Sequence, residues 1–278
     1  MKIFSHSDPN YFGFCEALVK SIRYHENEHD LTLLLMDFSD QQKEEVQEKF
    51  KNDSKLDFWF VNGEDLGYSI NDKVQFYRNC RTRFFLKMLE KYDENLLTLC
   101  ANGLVWTKLD YIEEDLKEND FVFLERSKKM VYNVPWPSEW VRNIEELSKL
   151  VKTHNLDLDD VLEKTTGKVV LLGTHGIQNN EMAKKVISRW REHVENAENL
   201  NKWYSDMNLF VKSFIEITDE TGYNFKKKTG WDIPREENPY VDTKFTTKKI
   251  WFAKGPRKFT HRTYIEKVNF FKKYEYSL

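Results

Sequence analysis

The first sixty residues of the chain alternate between short apolar runs and segments with helical periodicity. Short strands are predicted at residues 2–5 and 58–61, and the nearly continuous apolar run at residues 31–36 predicts a buried parallel strand. Between residues 2–5 and 31–36, Phe14, Leu18 and Ile22 recur at every fourth position, which places them on one face of a helix. Residues 41–52 are highly charged and predict an exposed helix. Strands and helices that alternate in this way are typical of a parallel sheet with right-handed crossovers.

The same alternation continues through the middle of the chain. Further strands are predicted at residues 96–99, 121–124 and 169–173. Helices are predicted over residues 77–92 and 180–197, and residues 133–137 form an irregular loop before a charged helical region that ends near Lys164. We therefore predict an α/β protein with a Rossmann-type, mostly parallel central sheet flanked by helices. No internal repeat or long linker divides the chain, which favours a single domain.

The composition fits a folded protein and excludes several functional classes. Apolar residues make up 40% of the 278 positions, enough to bury a sizeable core. The formal net charge is only -3, so no overall field points to nucleic acid or to an anionic membrane. No run of about 18 apolar residues exists, so no membrane span is expected. Cys15, Cys80 and Cys100 are widely spaced, as reduced thiols are, and we expect a cytoplasmic protein.

Polar side chains follow the first predicted strand, where a parallel sheet places its ligands. Ligands of such sheets bind beyond the carboxyl ends of the strands, so the loops after Phe4 and Met36 are candidate nucleotide contacts. Asp8 and Asn10 in the first loop could contact a base or a ribose. An Asx turn before Tyr11 explains the same two residues almost as well. Both interpretations remain open from the sequence.

Six segments, taken in order, resemble bacterial and viral nucleotide-sugar glycosyltransferases of the GT-A fold. They cover most of the chain: residues 10–22, 77–84, 96–109, 173–191, 205–208 and 251–258. The resemblance implies a GT-A-like fold and a single glycosyltransferase-like domain over residues 1–278. A nucleotide-binding half would span about 1–105, and an acceptor half with a closing loop would span about 106–278. It also implies a nucleotide-diphosphate sugar as donor substrate and a glycan or another molecule as acceptor.

The chain departs from the family at its metal site. The family uses an Asp-x-Asp motif to bind manganese or magnesium, because carboxylate oxygens suit such hard ions. Here Cys100-Ala101-Asn102 occupies those positions, and Trp251 stands where many relatives place a metal-binding histidine. We therefore predict no metal ligands, no dependence on a divalent metal and no tightly bound cofactor. Asn102 is kept as a candidate contact to the donor.

The resemblance places cations in the segment that closes over the diphosphate. Lys254, Arg257 and Lys258 flank Gly255-Pro256, and they could supply the positive charge that a metal supplies elsewhere. A solvated basic loop is the alternative. Asp206 could orient the donor sugar, or act as a base if the enzyme inverts the anomeric centre. A helix cap before Asn208 is the alternative for Asp206.

Three further residues are candidate contacts to the donor. Arg78 and Arg81 lie on one predicted helix, where exposed salt-bridge residues are an equally good explanation. His175 lies between Gly173 and Gly176, which leave room for a ligand, although a structural histidine is the more common situation.

The residues and the resemblance together predict a metal-independent glycosyltransferase. The lost acidic motif leaves open a catalytically degenerate relative that binds a nucleotide, a glycan or a partner. A viral enzyme that modifies nucleic acid is a further alternative, which the net charge of -3 neither supports nor excludes.

Overall fold

A computed structural model of the chain describes residues 1–25, 28–66, 73–101, 103–105, 108–127, 168–196, 205–229 and 250–252. The chain divides into two compact units. The first comprises Met1–Tyr68, Leu97–Glu113 and Trp231–Leu278, and the second comprises Ser69–Leu96 and Glu114–Gly230. The single domain over residues 1–278 stays a prediction.

Strands and helices follow one another along the described residues. The strands are β1 (Lys2–Ser7), β2 (Leu31–Met36), β3 (Leu56–Val61), β4 (Leu96–Leu99), β5 (Gly103–Val105), β6 (Phe121–Ser127), β7 (Lys168–Ile177), β8 (Lys227–Thr229) and β9 (Ile250–Phe252). The helices are α1 (Phe12–Tyr24), α2 (Asp40–Lys49), α3 (Lys73–Tyr92), α4 (Asp110–Glu118), α5 (Glu181–Glu195) and α6 (Ser205–Thr221). A short 3₁₀ helix spans Glu64–Leu66.

The first unit contains strands in the hydrogen-bonded order β3-β2-β1-β4, of which β1, β2 and β3 are parallel. Strand β1 pairs with β2 in the register Ser5↔Leu33, and β2 pairs with β3 in the register Leu33↔Phe58. Every residue of β2 is buried, as expected for an inner strand of a parallel sheet. Helix α1 buries Leu18 and Ile22, and its Ser21 Oγ accepts a hydrogen bond of 3.0 Å from the Val105 N–H of β5.

Among the described strands of this unit, β3 lies at the edge of the order. The side chain of Asp57 on this strand accepts two hydrogen bonds from its neighbours in sequence. The Asp57 Oδ1 accepts a hydrogen bond of 2.9 Å from the Phe58 N–H. The Asp57 Oδ2 accepts one of 3.2 Å from Trp59 Nε1. A carboxylate in this position disfavours pairing with a further strand, because it places a charge on the strand and already accepts from the backbone N–H of Phe58.

The second unit contains the order β7-β6-β8, in which β6 and β7 are antiparallel and β6 and β8 are parallel. The β6–β7 register jumps from Phe123↔His175 to Leu124↔Leu171, so residues 172–174 lie outside the ladder. A β-bulge of this kind bends its strand and redirects side chains.

Aromatic rings form the core of the second unit. Phe121 of β6 lies 6.0 Å from Phe210 and 5.8 Å from Phe214 of α6, measured between ring centroids. Trp190 of α5 meets Phe210 edge-on at 5.2 Å. Tilted and edge-on pairs at such distances are favourable beyond the area that they bury. The core therefore packs both helices against the strand.

A buried carboxylate ties together the loops at the start of β6. Asp120 is 3% exposed, and its Oδ1 accepts hydrogen bonds from Asn180 Nδ2 at 2.6 Å and from the Tyr223 hydroxyl at 3.2 Å. Its Oδ2 accepts one of 2.8 Å from the Lys226 N–H. A buried charge is tolerated when it is hydrogen-bonded in this way.

The predicted fold class is confirmed: the protein is α/β, with a mostly parallel sheet flanked by helices. The antiparallel β6–β7 and β5–β9 pairs were not predicted. The irregular loop at residues 133–137 and the charged region that ends near Lys164 lie outside the described residues.

Candidate functional site

The carboxyl ends of three parallel strands form one edge of the first unit's sheet, where the sequence predicts ligand contacts. The loop after β1 is ordered by its own polar groups. The Asp8 carboxylate accepts a hydrogen bond of 2.9 Å from the Tyr11 N–H, which lies three residues along the chain, one residue further than an Asx turn reaches. The Ser7 hydroxyl donates to the Asp8 carbonyl at 2.9 Å. Asn10 is exposed in the same loop.

The first turn of α1 follows this loop and is open to solvent. Its N-cap residue is Tyr11, which provides no side-chain cap. A Cβ atom added at Gly13 would meet nothing within 4 Å. Tyr11 is 52% exposed, and its ring lies 5.7 Å from the Phe14 ring, measured between centroids. The exposed Tyr11 ring offers a flat face for a base or a sugar.

The loop after β2 contains a residue, Asp37, whose hydrogen bonds to the end of β3 were not predicted from the sequence. Asp37 adopts a left-handed conformation with φ 57, which asparagine and aspartate tolerate better than other side chains. Its N–H donates to the Val61 carbonyl at 2.9 Å, and its Oδ1 accepts a hydrogen bond of 2.8 Å from the Gly63 N–H. The loops that follow β2 and β3 are therefore fixed to each other. The signal in the sequence is an aspartate directly after a buried strand.

The end of β4 leads into Cys100 and Ala101, the positions that the family resemblance assigns to the acidic motif. Cys100 is half-buried, Ala101 is 8% exposed, and the Gly103 N–H donates to the Cys100 carbonyl at 2.8 Å. A thiol and a methyl group do not suit manganese or magnesium, which prefer hard oxygen ligands. The residues present therefore do not fit the metal that the family resemblance implies. Nearby on α1, burial raises the pKa of the Cys15 thiol to about 12, so that thiol is protonated at neutral pH.

Two candidate residues of the second unit, Arg81 and His175, lie beside the same tryptophan, Trp190. The Arg81 guanidinium lies 5.7 Å from the centroid of the Trp190 ring, in a cation–π arrangement. His175 is fully buried, 6.3 Å from Trp190 and 5.4 Å from Phe85 between ring centroids. Arg81 and His175 thus share contacts with the aromatic core. Their predicted contacts to the donor stay predictions.

The glycine after His175 has a packing role that the sequence did not indicate. A Cβ atom added at Gly176 would lie 3.1 Å from both methyl carbons of Leu116 in α4. The space beside Gly176 is therefore filled by a neighbouring side chain. We had expected that space to admit a ligand.

The remaining candidates are only partly described. Arg78 lies within α3, and Asp206 is the second residue of α6. The candidates that lie outside the described residues are Asn102, Lys254, Arg257 and Lys258. In the part of the chain that the structure describes, no three His, Cys, Asp or Glu side chains lie together as metal ligands. Independence from metal stays a prediction.

A group of charged side chains joins α5 to α6, and sequence reasoning missed it. We call it the α5–α6 charge cluster, and its members are Arg189, His193, Lys212, Glu216 and Glu220. The Glu216 Oε2 lies 2.6 Å from His193 Nε2 and 3.1 Å from an Arg189 nitrogen. Partial burial by itself raises the pKa of the Glu216 carboxyl. The hydrogen bonds from His193 and Arg189 outweigh burial and hold that pKa below its usual value.

None of the described helices combines the length and the apolar character needed to cross a lipid bilayer. This agrees with the absence of a long apolar run in the sequence.

Comparisons with known proteins identify solved structures of the same fold. No protein-family model matches the sequence, and no curated protein matches it either. The galactosyltransferase LgtC, solved in complex with donor and acceptor sugar analogs, is similar with a TM-score of 0.60 and 16% identity over 100% of this chain and 96% of LgtC.

Two further glycosyltransferases are longer than this chain. The bifunctional glycosyltransferase WbbM is similar with a TM-score of 0.60 and 14% identity over 96% of this chain, which spans 49% of WbbM. The apo form of GlyE from Streptococcus pneumoniae TIGR4 is similar with a TM-score of 0.53 and 11% identity over 99% of this chain and 63% of GlyE. This chain therefore has the GT-A-like α/β fold of these glycosyltransferases.

Proposed function

We propose that this chain is a glycosyltransferase that moves a sugar from a nucleotide-diphosphate donor to an acceptor without a tightly bound divalent metal. The observation that carries the proposal is the similarity to LgtC, which extends over 100% of this chain and 96% of LgtC. A shared fold alone does not define a reaction, so the argument also depends on the residues of the candidate site.

The donor would bind at the carboxyl edge of the first unit's sheet. There the exposed Asn10 and the exposed ring of Tyr11 adjoin the uncapped first turn of α1. The ties made by Asp8 and Asp37 hold the surrounding loops in place. Loops fixed before the ligand arrives lose less entropy on binding, which favours a specific site.

Protein cations would replace the metal at the diphosphate. As the bond to the donor sugar breaks, negative charge accumulates on the leaving diphosphate and must be stabilised. Lys254, Arg257 and Lys258 are the candidates for this role, and Asp206 would face the transferred sugar. Charge-assisted contacts from Arg and Lys to phosphate are strong enough for the task.

A thermal-shift screen of nucleotide sugars tests the proposal and identifies the donor. A ligand that binds the folded state raises the melting temperature by mass action. The hit is then incubated with the protein, and released nucleoside diphosphate is measured. Continuous release with candidate acceptors supports a transferase. No stabilisation by any nucleotide sugar would contradict the proposal.

A second function is favoured by one observation. The family resemblance puts Cys100 and Ala101 at the positions of the acidic motif, and loss of a catalytic motif is typical of relatives that bind without reacting. Such a protein would be stabilised by a donor or a glycan but would release no nucleoside diphosphate beyond the uncatalysed rate. The release assay therefore separates the two functions.

A further inference from the structure

The loop after β2 holds three consecutive residues, and each of them contacts a different element of the first unit. The Asp37 carboxylate accepts a hydrogen bond of 2.8 Å from the Gly63 N–H beyond β3. Phe38 is 4% exposed. Ser39 begins α2 with a capping box, in which its Oγ accepts from the Gln42 N–H and its own N–H donates to the Gln42 side chain. The loop is therefore fixed at three successive positions.

Phe38 contacts both the start of α1 and the second half of β3. Its ring meets the Phe12 ring edge-on at 5.5 Å and lies 6.4 Å from the Phe60 ring, measured between centroids. Phe12 is the first residue of α1 and follows Tyr11 directly. Close-packed interiors tolerate little displacement, so a buried ring such as Phe38 restricts where its neighbours can lie. The position of Phe38 therefore affects where α1 begins.

The backbone of Tyr11 carries this effect to the carboxyl edge of the sheet. The Tyr11 N–H donates to the Asp8 carboxylate at 2.9 Å, and the Tyr11 carbonyl accepts from the N–H groups of Phe14 and Cys15 at 3.0 and 3.2 Å. The exposed Tyr11 ring takes its direction from this backbone, which continues directly into Phe12. A shift of Phe12 would therefore turn the Tyr11 ring.

Asp37 holds Phe38 in place through an unusual backbone conformation. Its φ of 57 lies in the left-handed region, which persists in residues other than glycine when the surrounding structure stabilises it. The stabilising contacts come from the end of β3. The Val61 carbonyl accepts from the Asp37 N–H at 2.9 Å, and the Gly63 N–H donates to Asp37 Oδ1. Loss of the carboxylate would therefore loosen the segment that places Phe38.

We propose that Asp37 and Phe38 are positioning residues for the donor, because together they orient the Tyr11 ring toward the nucleoside. Phe38 acts through Phe12, and Asp37 acts by holding Phe38. The inference rests on the proposed function for its binding part. Its structural part, that both residues hold the first turn of α1, is tested without a ligand.

Two substitutions at Asp37 separate the backbone conformation from the side-chain contact. Glycine and asparagine both tolerate φ near 57, but only asparagine keeps an oxygen that can accept from the Gly63 N–H. Below the melting temperature of every variant, Asp37→Gly should speed amide hydrogen exchange at Gly63, Phe14 and Cys15. The probes for binding are UDP, GDP, ADP and CDP. Asp37→Gly should weaken binding of whichever the parent binds by about tenfold, and Asp37→Asn by less than about threefold.

A double-variant cycle tests whether Phe38 acts through Tyr11. Phe38→Leu should weaken binding of the same diphosphate about fivefold. In the Tyr11→Ala background the same substitution should change the affinity less than about twofold, because residues that act through one another are not additive. Phe50→Leu is the control, since it makes the same change at the end of α2, where Phe50 lies 6.3 Å from Phe58 between centroids. It should leave both the affinity and the exchange at Phe14 and Cys15 near those of the parent.

Several results would overturn the inference. Equal weakening by Asp37→Gly and Asp37→Asn would show that the side-chain contact to Gly63 does not matter. An equal effect of Phe38→Leu with and without the Tyr11 ring would show that Phe38 does not act through it. Unchanged exchange at Phe14 and Cys15 in both Asp37→Gly and Phe38→Leu would contradict the structural part. If the parent binds none of the four diphosphates, the proposed function fails, and the exchange comparison alone decides whether Asp37 and Phe38 hold the first turn of α1.

Discussion

At the scale of single residues, Gly176 and Gly13 differ in the space that their surroundings leave for a side chain. A side chain at Gly176 would crowd Leu116, because both Leu116 methyl carbons would lie 3.1 Å from its Cβ. Gly13, in the first turn of α1, has open space around the same position. The type of residue is the same, and the surroundings decide what a substitution does.

We predict that Gly176→Ala destabilises the protein and Gly13→Ala does not. Overpacking a filled position costs about 1–3 kcal/mol, whereas alanine at an open helical position contributes up to about 1 kcal/mol. Urea denaturation of both variants measures the two free energies of unfolding. Equal stability of the two variants would show that Leu116 moves aside without cost.

The basic segment that would hold the diphosphate gives a second prediction at this scale. Arg257→Ala or Lys258→Ala should weaken binding of a nucleoside diphosphate by roughly one to two powers of ten, because each change removes a charge-assisted contact of about 1.5–3 kcal/mol. Binding of the nucleoside without phosphates is the control and should stay unchanged. Calorimetric titration measures both, and parent-like diphosphate affinity in both variants would leave the segment without a role.

At the scale of elements, the strand β3 combines apolar side chains with a protected edge. Phe58, Trp59 and Phe60 are half-buried, and the Asp57 carboxylate occupies the Phe58 N–H and the Trp59 indole. Edge strands of this composition tend to pair with other chains unless a charge prevents it.

We predict that Asp57→Val increases self-association. The substitution frees both donors and adds a β-branched side chain that favours strand pairing. Light scattering over a range of concentrations should detect dimers or larger species that the parent does not form. Glu44→Val, which adds the same side chain to the exposed face of α2, is the control. Identical scattering from all three proteins would show that Asp57 does not protect the edge.

The ion pairs that Glu195 and Glu216 form between α5 and its neighbouring helices predict that stability depends on pH. Partial burial by itself raises the pKa values of Glu195 and Glu216. Hydrogen bonds from Arg191 and Arg83 bring the pKa of Glu195 below the usual 4.5. Hydrogen bonds from His193 and Arg189 do the same for Glu216. A carboxyl whose pKa is lowered in the folded state stabilises the protein above its unfolded pKa. That contribution is lost as the pH falls through the folded pKa.

The free energy of unfolding should therefore decrease as the pH falls below about 4.5. The double variant Glu195→Gln/Glu216→Gln should show a shallower decrease, because its side chains have no proton to gain. Urea denaturation between pH 3 and 7 provides the comparison. Parallel curves for the two proteins would mean that other carboxyls account for the slope.

At the scale of the whole molecule, local sequence patterns predicted the fold class. They did not predict which strands and side chains far apart in the sequence pair with each other. The strands β1, β2 and β3 and the helices between them follow from the period of their own residues. The β5–β9 pair joins Gly103 to Phe252, and no local pattern indicates which distant segment a strand will meet. For the same reason, the sequence did not predict the hydrogen bonds between Asp37 and Gly63 and between Glu216 and Arg189.

The molecule as a whole is expected to bind its donor without a divalent metal. We predict that the dissociation constant of the donor measured by calorimetry is nearly the same in EDTA and in manganese, because Cys100 and Ala101 offer no hard oxygen ligand. The parent in buffer without either additive is the control. A large gain in affinity with manganese would mean that other residues bind the ion.

The pairing of β5 with β9 also constrains the order in which the protein folds during synthesis. The first unit includes Trp231–Leu278, which are synthesised after every residue of the second unit, because the second unit ends at Gly230. Domains that contain the start of a chain usually fold first during translation. Here the amino-terminal unit finishes last. Until Ile250–Phe252 emerges, Leu104 and Val105 lack the strand with which they pair, so this part of the first unit cannot be completed earlier.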